Sequence, residues 1–119
     1  MTRDAFIAAL FMAFVLPSMA VAELKRIESK SEFVQLIQGK TLSRPLVRLH
    51  VNPDGQISGR GATWDITGSW SWQNGFFCRE LNWGGDDMGY NCQEVRADGT
   101  AMRFTADQGA GEFADFRLR

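Results

Sequence analysis

Few side chains in this sequence are equipped for covalent or acid–base chemistry. His50 is the one histidine, so a Ser–His–Asp or Cys–His arrangement would have to use it. In Leu46 to Val51, Val47, Leu49 and Val51 alternate with Arg48 and His50, which sets His50 on the polar face of a strand. A zinc site needs more ligands than one histidine and two cysteines that are expected to be oxidised. Asp86 and Asp87 lie in the glycine-rich stretch Gly84 to Gly89, without the ligand spacing of a calcium loop. Glu80, Glu94 and Asp65 are the carboxylates that could pair for acid–base work, and alternation puts all three on the polar side. Gly39-Lys40-Thr41 resembles the end of a phosphate loop, but the first glycine of that motif would fall at Val34. Gly109 to Ala114 has the form G-x-G-x-x-A with no room after it for the helix that binds a pyrophosphate. The expectation is no catalytic residue, no metal and no cofactor: a protein that binds, not an enzyme.

What departs from a plain apolar core is a set of polar residues among tryptophans. Strand register turns Arg79, Asn91 and Gln93 toward the face that carries Trp70, Trp72, Trp83 and Phe104. An arginine on such a face must be paired, stacked on an indole, or reach out to water. Either Arg79 stacks on Trp70 and caps the sheet edge, or aromatic walls with a few convergent polar groups form a small-ligand pocket. Trp70, Trp72, Arg79, Trp83, Asn91 and Gln93 are the candidate ligand-binding residues.

The elements that must position them are strands. From Ala62 to Trp72 the even positions run Ala, Trp, Ile, Gly, Trp, Trp and the odd ones Thr, Asp, Thr, Ser, Ser, the alternation of a half-buried strand. Asn74-Gly75 then predicts a two-residue hairpin turn, because both central residues need positive φ. It sets Trp72 opposite Phe77, Trp70 opposite Arg79, Gly68 opposite Leu81 and Ile66 opposite Trp83. Asn52-Pro53-Asp54-Gly55 predicts a second turn with Ile57 opposite Val51. Inward residues are odd up to Ile57 and even from Ala62, so a bulge or tight bend is expected at Gly59-Arg60-Gly61. A loop over Gly84 to Gly89, centred on Gly85, brings Cys78 opposite Cys92, the closeness a disulfide requires. Asp98-Gly99 predicts a two-residue turn pairing Val95 with Met102, Gln93 with Phe104 and Glu94 with Arg103. Ala114, Phe116 and Leu118 face inward on the last strand. Ser29 to Glu32 has the form of a capping box, and Gly39 suits a helix terminus, so a short amphipathic helix is expected over 30–38. The fold class is therefore mainly β: an antiparallel meander of about seven strands in a small barrel or strongly curved sheet, with one short N-terminal helix.

The chain has 119 residues, enough for one domain after its leader. Phe6 to Leu16 is an apolar run of signal-peptide length, Pro17 breaks it, and Ala20-Val21-Ala22 is an A-x-A cleavage site. Residues 1–22 are read as a signal peptide and 23–119 as a single disulfide-stapled domain, periplasmic or secreted, with no membrane insertion after cleavage. Thirteen basic and fourteen acidic side chains leave a net charge of -1. They are interspersed, with no basic run visible, so no nucleic-acid partner is expected. The expected partner is a small ligand or an envelope protein. In the second case the chain would be an inhibitor or accessory factor of an envelope enzyme, acting through a loop such as Gly84 to Gly89.

Gly39-Lys40-Thr41-Leu42, Asp54-Gly55, Gly68-x-Trp70, Phe77-Cys78-Arg79 and Asn91-Cys92-Gln93 together resemble a group of small secreted proteobacterial β-proteins of unestablished function. The resemblance spans most of residues 23–119. Some members carry the label dihydrodipicolinate reductase, an activity that the missing nucleotide fold and glycine fingerprint argue against here. The meander is also similar to avidin- and lipocalin-type barrels and to small periplasmic lysozyme-inhibitor barrels, a likeness of architecture alone.

Overall fold

Alternating strands and tight turns carry the chain up and down until its sheet closes on itself. The computed structural model describes residues 23–119; the leader read over residues 1–22 lies outside the described residues. In order come β1 (Lys25–Arg26), α1 (Lys30–Ile37), β2 (Leu42–Arg44), β3 (Val47–Val51), β4 (Gln56–Gly61) and β5 (Trp64–Gln73). β6 (Phe76–Trp83), β7 (Asp86–Ala97), β8 (Ala101–Thr105), a short 3-10 turn (Asp107–Gly109) and β9 (Phe113–Leu118) follow. β2 to β9 form a closed antiparallel barrel of eight strands, in which β9 sits between β2 and β8 while β7 pairs with β8. β1 is a ninth strand that continues the edge of β7 beyond β6, with Lys25 facing Ala97.

The β5–β6 hairpin has the register that its sequence predicts, from Ile66 opposite Trp83 to Trp72 opposite Phe77. Its turn places Asn74 and Gly75 at φ 52° and 86°, the left-handed pair such a turn demands. Gly68 lets this hairpin curl, because a Cβ there would run into the Glu80 carbonyl of the neighbouring strand. Val51 likewise faces Ile57 across the β3–β4 turn. Cys78 faces Cys92, and the two form a disulfide between β6 and β7.

Four expectations need correction. Among the described residues the strands number nine, because β1 and β2 are too short to show alternation. The parity change falls one turn later than Gly59-Arg60-Gly61: β4 runs on to Gly61 opposite Trp64, and Ala62-Thr63 makes a two-residue turn with Ala62 at φ 56°. Gly84 to Gly89 is not a free loop. Gly84-Gly85 is the turn, Asp86 already pairs with Trp83, and a bulge in β7 lies between the Glu80 and Asn82 pairings. Finally the β7–β8 register is two residues away from the expected one, with Ala97 opposite Met102 and Val95 opposite Phe104. The cause is Asp98, whose carboxylate accepts hydrogen bonds from the amides of Thr100 and Ala101, so that it precedes the turn instead of sitting in it. A slip of two preserves which face is inside.

α1 closes one end of the barrel. Ser29 caps it by accepting the Glu32 amide hydrogen bond at 3.2 Å, and Phe33 and Ile37 are fully buried. The Phe33 ring lies among Trp70, Trp72, Phe77 and Phe104, with centroids between 5.1 and 6.4 Å away. Together with Val95, Met102, Leu42 and Leu118 these rings make a solid floor.

Candidate functional site

Among the described residues nothing like α1 covers the opposite end. There the β2–β3, β4–β5 and β6–β7 turns and the β8–β9 connection surround an opening into the barrel. Behind it lies a cavity of about 540 Å³, a size usual for small-molecule sites. Its walls come from the inward positions of the strands: Leu49 of β3, Ile57 of β4, Leu81 of β6 and Phe104 and Phe116 of β8 and β9. Met88, Glu112 and Arg44 stand at its margin.

Two polar side chains interrupt this apolar wall, Arg79 and Gln93. β6 and β7 place them on successive inward-facing pairs, Arg79 opposite Asn91 and Gln93 opposite Phe77, with the Cys78–Cys92 pair between. Arg79 is partly buried, and the loss of water pushes its pKa down from the ordinary arginine value. Its Nη1 donates to the Gly89 carbonyl at 2.9 Å, the carbonyl that the β7 bulge turns toward it. The ion pairs among the described residues involve Arg26, Arg60, Arg96 and Arg103, not Arg79. Arg44 extends over the Phe116 ring at 5.6 Å.

The candidate residues thus divide. Arg79 and Gln93 line the cavity. Trp70 does not: it is buried in the floor, stacked near Phe77, with its Nε1 donating to the Asn52 carbonyl at 2.8 Å. The cation over Trp70 is Lys30, at 5.7 Å, and not Arg79. Trp72 packs on Phe33 and donates to the Glu28 carbonyl at 3.4 Å, outside the cavity at the plugged end. Trp83 stands at the open rim, its Nε1 donating to the Gly61 carbonyl at 3.0 Å. Asn91 exchanges two hydrogen bonds with Asp107 and so anchors the 3-10 turn. Sequence reading missed Leu49, Leu81, Phe116 and Arg44 as cavity residues. Alternation marks the first three as inward, whereas Arg44 belongs to a strand too short to have a readable face.

The other chemistry-bearing groups stay apart. His50 lies on the outer wall, its Nε2 3.3 Å from Thr41 Oγ1. Glu94 is engaged by Arg96 and Arg26, and Asp65 by Arg60. Asp87 accepts the Gly89 amide at 2.8 Å and braces the β7 bulge. Among the described residues no three His, Cys, Asp or Glu side chains come together in metal-binding range, and no helix is long and apolar enough to cross a membrane. No family model, no curated protein and no solved structure matches this chain.

Proposed function

We propose that the protein binds a small amphipathic molecule in its barrel, with an apolar body in the cavity and an anionic or strongly hydrogen-bond-accepting group at Arg79. The observation that carries this reading is Arg79 itself. A partly desolvated guanidinium facing an apolar cavity, with one backbone acceptor and no carboxylate, is costly unless something else meets its remaining donors. Gln93 supplies a second polar contact on the same wall. The protein acts by binding, not catalysis, as a carrier or sensor. The disulfide supports a place in an oxidising compartment, the periplasm or outside the cell.

Decanoate and decanol distinguish the elements of this reading, since they share a chain and differ in head group. A ligand at 100 times its dissociation constant adds about 2.7 kcal/mol of stability. Thermal unfolding should shift upward with decanoate more than with decanol, and Arg79→Gln should remove the difference. The absence of any shift with either compound would defeat the proposal.

A further inference from the structure

Five of the six large hydrophobic side chains that stand exposed among the described residues gather at the open end: Leu46, Trp64, Trp83, Met88 and Phe113. Leu46 tips the β2–β3 turn and is 80% exposed, and Trp64 at the β4–β5 turn is 57% exposed. Arg103 lies over the Phe113 ring at 3.8 Å and Trp83 donates to the Gly61 carbonyl, while among the described residues Leu46, Trp64 and Met88 stand largely uncovered.

Beside the rim the sheet register gathers charge that is scattered in sequence. Arg60, Arg48, Ser43 and Arg117 form one transverse row across β4, β3, β2 and β9. Strands lie about 4.8 Å apart, so the row spans about 14 Å. Arg119 joins it, donating from Nε to Ser43 Oγ at 3.2 Å. Arg60 is paired with Asp65 at 3.0 Å. The four ion pairs among the described residues include none of Arg44, Arg48, Arg117 and Arg119. The shallow groove these residues line contains five arginines and a single carboxylate, Asp115, which Arg103 already holds at 2.7 Å.

We propose that this end of the barrel docks on an anionic phospholipid surface, with the apolar tips in the headgroup boundary and the arginine wall against the phosphates. A soluble polyanion would use the arginines and leave Leu46 and Trp64 in water. An apolar protein partner would cover the tips and strand unpaired guanidiniums beside them. A lipid leaflet satisfies both chemistries at once, and indole and leucine beside arginine are the side chains that favour its interface. The docking stands on the rim and the outer wall, and it does not depend on the cavity holding a ligand.

Tryptophan quenching by vesicles with brominated acyl chains tests it on residues 23–119, the closed barrel without the apolar leader. Residues 1–22 contain no tryptophan, so their omission loses no signal. Vesicles of phosphatidylcholine with phosphatidylglycerol should quench the rim tryptophans, and pure phosphatidylcholine should not. Quenching should fall as salt is raised. Each juxtamembrane arginine removed should weaken partitioning about fivefold, so the Arg48→Ala, Arg117→Ala double variant should lose about 25-fold. Leu46→Asp, an exposed tip change that leaves the core alone, should weaken quenching as well. Equal quenching on neutral vesicles, or partitioning unaltered in the double variant, would overturn the proposal. So would arginine-dependent binding of heparin without vesicle quenching, which would assign the wall to a soluble polyanion.

Discussion

The Phe33 ring meets the Trp70 indole edge-on, with centroids 5.1 Å apart. One comes from the helix and the other from β5, and their contact decides which end of the barrel is shut. Phe33 also touches Trp72, Phe77 and Phe104, so its removal should cost more than an ordinary core truncation. Phe33→Ala is expected to lose about 3–5 kcal/mol of stability, the usual range for deleting a buried aromatic ring. Urea unfolding monitored by tryptophan emission measures it. A loss below about 1 kcal/mol would mean that the helix does not plug the barrel.

The disulfide joins Cys78 to Cys92 across 14 residues. Closing a loop of that size should stabilise the fold by about 3 kcal/mol through the unfolded chain. Native protein should therefore show no free thiol. A Cys78→Ala, Cys92→Ala double variant should melt well below it, and reducing agent should bring the wild type down to the variant's midpoint. A midpoint indifferent to reduction would contradict the structure at its most specific covalent point.

Two carboxylates give the stability a dependence on acid. Asp98 is held below its ordinary pKa chiefly by the Thr100 amide, and Asp115 by its hydrogen bond from Arg103. Both titrate lower in the folded chain than in the unfolded one. Their contribution is complete above the unfolded carboxyl pKa of about 4 and disappears as pH falls through the lower folded values. Asp98→Asn and Asp115→Asn should be less stable than wild type at neutral pH, and should converge with it as the pH drops below about 4. Asp98 and Asp115 are exposed, so each effect should be small. Parallel unfolding curves across pH provide the comparison.

Much of this fold was legible because β5 alternates without a break and Asn74-Gly75 admits one turn geometry, which carries the register over to β6. The β7–β8 register was harder for a local reason. Asp-Gly can occupy the middle of a turn, or aspartate can precede it and cap the following amides, and only the second occurs here. Arg103 consequently faces Arg96 and finds Asp115 on β9, not Glu94 on β7. The candidate site shows a different limit. Alternation gives the side of the wall a residue occupies but not its height along the barrel. Trp70, Arg79 and Trp83 all belong to the inward set, yet they end up in the floor, the cavity and the rim. The arginine row was invisible because register alone brings positions 48, 60 and 117 into line.

β9 lies between β2 and β8, which makes the last strand of the chain a keystone. Until it arrives, the sheet has two unpaired edges, and the pairing of Leu42 with Leu118 joins opposite ends of the domain. Contacts so distant in sequence form late and slowly, and an open edge invites pairing with another chain. For this barrel the hazard is one of timing: it lasts as long as β2 and β8 wait for β9.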